Sequence, residues 1–138
     1  VCQNESKNVV CWVNEEDHCR LMCKERGGDV KGVFGRFCEL NAVFRAGLEA
    51  QGKQMMESKE LGYLATCPSN VGTGLRASVI MVLPELTKDP YRLGTICDEC
   101  GLQTRGAQGV SSTKGNIKWE IWNKQRIGCT EAEIVSTV

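Results

Sequence analysis

Four short patterns in this sequence bring together side chains able to handle charge. The first is Cys67-Pro-Ser-Asn-Val-Gly-Thr-Gly-Leu-Arg76, which sets a thiol, two glycines and small hydroxyl residues beside an arginine. Glycines and small side chains let backbone N–H groups approach an anion, and the Arg76 guanidinium adds a forked cation. The segment lacks the Gly-Lys-Ser/Thr ending of a P-loop, and a plain connecting loop with a surface arginine explains its spacing equally well. Cys67 stands at the end of an apolar run beside N–H donors that suit a thiolate; a buried inert thiol is the commoner case. Arginines make the second pattern, because Arg20, Arg76, Arg105 and Arg126 each stand beside a turn at an expected strand end. Brought to one sheet edge, their fixed forks would hold a di- or triphosphate; left apart, they are separate surface residues.

The third pattern is Glu15-Glu16-Asp17. Adjacent acids repel, so a solvated turn is the default unless one faces a cationic substrate or a metal ion. Neighbouring side chains leaving a strand point to opposite faces, so only one of Glu15 and Glu16 should enter a cleft. His18, the single histidine, reads as structural. The fourth pattern, Cys97-Asp-Glu-Cys100, has the CxxC spacing of a zinc ligand pair, and Cys19 with Cys23 adds a looser one. No second CxxC completes the set, and thiols one helical turn apart on a packed face explain the same letters, so no metal site is expected.

The elements that must position these groups follow from periodicity. β-branched and aromatic residues over 8–14 and apolar residues over 19–24 predict two strands joined by the acidic bend. From Asp29, a capping residue, Val30, Val33, Phe34, Phe37, Cys38, Leu40, Ala42, Phe44 and Leu48 recur at helical spacing, and the helix should fray near Gln51 and Gly52. Residues 61–66 and 77–83 read as buried strands flanking the loop at 68–74. Pro90 starts a short helix that Gly101 ends. A strand at 102–104, a flexible segment at 106–115, a strand at 117–122 and a helix opened by Thr130 in capping-box form complete the pattern. The expected fold is α+β, a mostly antiparallel sheet flanked by helices, with no repeat and no linker long enough for a second domain.

Length and composition set the bounds. At 138 residues, 41% hydrophobic and 25% charged, the chain fits one globular domain rather than a disordered or fibrous one. Seventeen basic and 17 acidic residues cancel, so no global field would hold nucleic acid or an anionic membrane, and any anion site must be local. No apolar stretch is long enough to span a membrane. Nine cysteines are an odd number, and several stand where Val or Leu would fill a core, which favours reduced thiols in a cytoplasmic setting. The chain opens at Val1 close to a strand-like run and reads as a piece of a longer polypeptide.

The order of three segments, Val13-Asn-Glu-Glu-Asp-His-Cys-Arg20, Gly62 to Arg76 and Leu102-Gln-Thr-Arg-Gly106, resembles the catalytic domain of the ATP:guanidino phosphotransferases. That family includes the creatine and arginine kinases and the bacterial protein-arginine kinases. The resemblance implies an antiparallel catalytic domain of glutamine synthetase-like fold, incomplete here. Residues 1–138 would form its C-terminal part, without the N-terminal helical domain, and would be inactive alone. It implies reversible phosphoryl transfer from Mg-ATP to a guanidino compound. Glu16 would then orient the guanidinium or take its proton, with Cys67 the reactive thiol beside it, and Val110 would join them in contacting the substrate. Nucleotide contacts would come from Arg20, Arg76, Arg105, Gly106, Ala107, Gln108, Gly109, Val110, Glu120 and Arg126, with Mg²⁺ held mainly by the nucleotide phosphates. Partners would be nucleotide and small guanidino compound, neither nucleic acid nor membrane, with homo-oligomers or a larger cytoskeletal or ciliary assembly left open.

Departures from the family pattern bear on substrate. Arginine-specific members carry glutamate where this chain has Val110, as creatine kinases do not, so a creatine-type acceptor is slightly favoured. Ile80 stands where phosphagen kinases usually place a histidine, and Gly115-Asn-Ile117 is similar to the protein-arginine kinases. Two alternatives follow: a catalytically inactive interaction module of the same fold, and a protein-arginine kinase.

Overall fold

The computed structural model describes residues 1–106 and 118–138. Ala107, Gln108, Gly109 and Val110, the rest of the segment expected to be flexible up to 115 and the expected strand start at 117 lie outside the described residues. Two compact units result, Val1–Val71 and Gly72–Val138. The α+β class is the expected one, with antiparallel strands flanked by helices, but the described strands divide among three sheets rather than one. Alternation identifies strands without naming their partners, which is why the division was not foreseen.

In the first unit, β1 (Cys2–Gln3), β2 (Val9–Val13) and β3 (Cys19–Cys23) form an antiparallel sheet in that order. Val13 pairs with Cys19 and Trp12 with Arg20, so the acidic residues fall in the connection between β2 and β3. Asn14 opens that connection at φ 51, a left-handed conformation that asparagine tolerates, and its N–H donates to the His18 carbonyl at 3.0 Å. Helix α1 (Val30–Glu49) begins where the Asp29 carboxylate accepts from the Gly32 N–H at 2.9 Å. It packs against β3. Val33, Phe34, Phe37, Leu40, Phe44 and Leu48 form its half-buried stripe, while Cys38 and Ala42, expected on that stripe, are exposed.

Beyond α1, β4 (Glu57–Ser58) and β5 (Gly62–Tyr63) make a short ribbon. Arg45 ties it to the helix through Glu57 and the Tyr63 hydroxyl, with its guanidinium 5.3 Å from the Tyr63 ring centre. The buried strand expected at 61–66 is therefore only Gly62–Tyr63, and Leu61 and Leu64 are exposed. The ladder stops because the Thr66 N–H goes to the Asp17 side chain instead of a neighbouring strand, and Pro68 then opens a single 3₁₀ turn, Pro68–Asn70.

In the second unit, β8 (Lys118–Asn123) lies between β6 (Ser78–Val82) and β7 (Leu102–Gly106), antiparallel to both. Helix α2 (Pro90–Glu99) is capped by Asp89, whose carboxylate accepts from the Arg92 N–H at 3.0 Å, and Gly101 at φ 69 ends it. Leu93 and Cys97 of α2 pack with Leu102 and Ile121 into the core, joined by Val79, Leu83 and Trp119. Cys97 is thus a core residue, whereas Cys100 is exposed. Thr130 and Glu133 make the expected capping box of α3 (Glu131–Thr137). β6 departs from expectation: Ile80 and Val82 are exposed, because they alternate with Val79, which packs on the core, and so lie on the sheet's other face.

Candidate active site

The acidic bend of the first unit holds a carboxylate and a cation in register. Because Trp12 pairs with Arg20, the arginine stands at the start of β3 with its guanidinium 5.8 Å from the Trp12 ring centre. Its Nη2 donates to Glu16 Oε2 at 2.7 Å, and Glu15 lies farther off at 3.6 Å from Nη1. Glu16, not Glu15, is therefore the acid with a guanidinium in hydrogen-bond contact. His18 Nδ1 meets the Asn14 side chain at 3.3 Å, a structural contact within the bend.

Asp17 turns the other way. Its Oδ1 accepts from the Thr66 N–H at 2.9 Å and its Oδ2 from Asn70 Nδ2 at 2.8 Å, so the bend is fastened to the segment that carries Cys67. Within that segment the Asn70 N–H donates to the Cys67 carbonyl at 2.9 Å. The Cys67 Sγ lies 3.0 Å from Ser69 Oγ, within reach of a hydroxyl able to donate to a thiolate. Elsewhere in this unit Cys11 and Cys19 approach at Sγ–Sγ 3.7 Å, and burial together with that contact pushes the Cys19 thiol up to about 11.

In the second unit β-pairing assembles a cationic face. Ile80, Glu120 and Arg105 lie opposite one another across β6, β8 and β7. Glu120 Oε1 accepts from Arg76 Nη2 at 2.8 Å and its Oε2 from Arg105 Nε at 2.8 Å, one carboxylate holding two guanidinium planes. Both planes lie over Trp122, at 4.5 Å for Arg76 and 5.4 Å for Arg105, which fixes their separation more than a surface ion pair alone would. Asn123, 3% exposed, holds the backbone on either side of Arg76: its Oδ1 accepts from the Ala77 N–H at 2.9 Å and its Nδ2 donates to the Leu75 carbonyl at 3.1 Å. The same Nδ2 donates to the Gln125 carbonyl at 2.8 Å, one residue before Arg126.

Gly72 seats the glycine loop against Arg126. It has φ 114, and a Cβ there would lie 2.2 Å from the Arg126 carbonyl oxygen; the Thr73 N–H donates to that same oxygen at 2.9 Å. Gly106 closes β7 opposite Trp119.

Within the first unit the structure thus joins Glu16 to Arg20 directly and to the Cys67 segment through Asp17. Within the second it joins Arg76 and Arg105 through Glu120, and sets the Arg126 backbone against the loop that leads to Arg76. Sequence reasoning missed five supporting residues, the first of them Asp17, which read as part of a solvated acidic turn. Asn70 and Ser69 were visible only as polar loop letters. Asn123 and Trp122 had a signal: a polar residue ending an alternating apolar strand, preceded by an aromatic on the opposite face.

A profile of the ATP:guanido phosphotransferase C-terminal catalytic domain matches residues 1–138. The flagellar creatine kinase of Strongylocentrotus purpuratus is 44% identical over 138 residues, 100% of this chain and 12% of that protein. Among solved structures, a lombricine kinase superposes with a TM-score of 0.89 at 38% identity, over 97% of this chain and 36% of its own. The duplicated taurocyamine kinase of Schistosoma mansoni, solved with transition-state analogue components, gives 0.83 at 32% identity, over 98% of this chain and 18% of its own. The chain spans well under half the length of each of these relatives.

Proposed function

The chain belongs to the ATP:guanidino phosphotransferases, and from that premise we propose that the polypeptide carrying it transfers the γ-phosphoryl group of Mg-ATP reversibly to a small guanidino compound. The observation that carries the reading is the pair of guanidiniums, Arg76 and Arg105, aligned side by side by Glu120 and Trp122. Two forks at fixed separation suit adjacent phosphate groups, whose charge must be neutralised as the phosphoryl group moves. In this reading Arg126 and Gly106, with residues 107–110, add nucleotide contacts, and Arg20 is carried over as a nucleotide contact from the family resemblance alone.

Glu16 is the acceptor's partner. A carboxylate already holding one guanidinium has the geometry to hold another, orient the attacking nitrogen and take its proton as the N–P bond forms and the bond to ADP breaks. Cys67, with its Sγ 3.0 Å from the Ser69 hydroxyl, is in this reading the thiol that lies against the same group. Among the described residues no group of three or more His, Cys, Asp or Glu is placed to hold a metal ion. In this proposal Mg²⁺ travels on the nucleotide phosphates. No helix of the described residues is long and apolar enough to cross a membrane, and a cytoplasmic setting suits an ATP-dependent reaction beside free thiols.

For the acceptor we favour a creatine-type compound over arginine, on Val110 and on the similarity to a flagellar creatine kinase. Phosphorus NMR of the full-length protein with Mg-ATP and creatine, arginine, lombricine, taurocyamine or glycocyamine tests both parts. A new phosphoramidate resonance with one compound supports the reaction and identifies the acceptor. Silence across the panel from a folded protein refutes it in favour of a non-catalytic module. Phosphotransfer by Glu16→Gln within a fewfold of wild type would remove Glu16 from its role.

A further inference from the structure

We infer that Asp17 is a positioning residue that couples the acidic bend to the thiol segment, and so sets where Glu16 and Cys67 stand for the transfer proposed above, a reading on which this inference rests. Of the three adjacent acids, Asp17 alone is withdrawn from solvent: its side chain is 16% exposed, against 55% for Glu15 and 47% for Glu16. Its two carboxylate oxygens do separate tasks. Oδ1 takes the Thr66 N–H and Oδ2 takes the Asn70 amide, partners 49 and 53 residues away in sequence. Thr66 immediately precedes Cys67, and Asn70 closes the 3₁₀ turn that follows it by donating its own N–H to the Cys67 carbonyl at 2.9 Å. One carboxylate therefore grips the chain on both sides of the thiol.

The same residue is rigidly placed at its other end. Glu16 precedes it, and the bend is closed by the Asn14 N–H to the His18 carbonyl at 3.0 Å. Arg20, 3.8 Å from Asp17 Oδ2, is close enough to share its charge but is aligned on Glu16 at 2.7 Å. A withdrawn carboxylate needs donors to offset its lost hydration. Here both donors come from the Cys67 segment, so the desolvation of Asp17 and the placement of Cys67 are one event. A carboxylate and a thiol that must meet one reacting group tolerate little slack, since a displacement of about 1 Å costs on the order of 100-fold in rate.

The test uses the full-length protein and four readouts: kcat, KM for Mg-ATP, thermal midpoint, and the peptide-resolved rate at which iodoacetamide alkylates Cys67. Asp17→Ala should lower kcat by roughly 10- to 100-fold with KM for Mg-ATP nearly unchanged, and should change the Cys67 alkylation rate severalfold. Asp17→Asn, the safer variant for folding, keeps an oxygen for the Thr66 N–H but turns an amide toward Asn70, and should fall between. Asn70→Ala should reproduce much of the loss, and Asp17→Ala with Asn70→Ala should be little worse than the worse single variant. A lowered thermal midpoint with kcat and Cys67 alkylation unchanged in Asp17→Asn and Asp17→Ala overturns the inference, leaving a structural anchor. If wild type shows no phosphotransfer with any acceptor but Cys67 alkylation still depends on Asp17, the coupling stands and the proposed function fails instead.

Discussion

Alanine at Gly72 tests whether the glycine loop is truly seated on the backbone at Arg126. Gly72 is buried with φ 114, and its added Cβ would lie 2.2 Å from the Arg126 carbonyl oxygen, 2.6 Å from that carbonyl carbon and 2.9 Å from Ile127 Cγ1. The strain has separable parts. A left-handed φ on a residue with a Cβ costs about 1–2 kcal/mol. Two of the three contacts are to backbone, so the loop must shift, which by comparison with overpacked cores costs about 1–3 kcal/mol. That shift also stretches the 2.9 Å bond from the Thr73 N–H to Arg126, a net loss of about 1 kcal/mol. The sum is about 3–6 kcal/mol, enough to move a urea midpoint clearly at constant slope. Gly28→Ala is the control, because nothing lies within 4 Å of its Cβ position and its φ is not left-handed. It should stay within about 0.5 kcal/mol of wild type. Unfolding in urea followed by tryptophan fluorescence reads both. Coincident midpoints for the two variants would refute the seat, and with it the claim that Gly72 locates Arg126.

Three further outcomes are expected. Gly47 lies inside α1 with open space at its Cβ position, so Gly47→Ala should raise stability by about 0.5–1 kcal/mol in the same urea assay; a loss would mean that α1 is not a regular helix there. Because Cys19 keeps its proton up to about 11 when folded, its contribution is fully present below the ordinary thiol range and is lost as pH rises toward that value. At pH 8 it holds about 100-fold less thiolate than an ordinary thiol, so alkylation should reach it long after exposed Cys2, Cys38 and Cys100, and equal rates would refute the burial. Glu120→Ala removes the shared partner of Arg76 and Arg105 and should weaken Mg-ADP binding by roughly 5- to 10-fold, about 1 kcal/mol, in calorimetry on the full-length protein; unchanged affinity would mean that the carboxylate does not align the forks.

The helices were legible because their signals are local. Asp29, Asp89 with Pro90, and Thr130 with Glu133 each lie within three residues of the N–H group they cap or the turn they open, so the letters contain the whole interaction. The β2–β3 hairpin was legible for the same reason. What the letters lacked was long-range partnership. Leu61 to Thr66 reads as a strand until Asp17, 49 residues away from Thr66, claims the N–H that a ladder needs. Glu120 was expected as one nucleotide contact among several, but its part as the common partner of two arginines depends on the β6–β8–β7 order, which no local pattern encodes. Cys67 stood out by residue type and Glu16 through the family resemblance, whereas Asp17 looked like the third member of a solvated acidic run.

In the reading proposed above, the ion pair at the acidic bend makes the protein its own competitor. Glu16 is occupied by a guanidinium from Arg20, the functional group that the proposed guanidino acceptor would present. Acceptor binding there would thus be an exchange of like for like rather than the filling of a bare charge. The Arg20–Glu16 pair, with side chains 35% and 47% exposed, is a contact of the solvent-screened kind, worth about 0–1 kcal/mol, so it opens at little cost. Charge alone then discriminates poorly among guanidinium compounds, because the built-in rival carries the same group. Selectivity has to come from the shape around it, and added guanidinium ion should act as a weak competitor at Glu16 at concentrations well below those that unfold the chain.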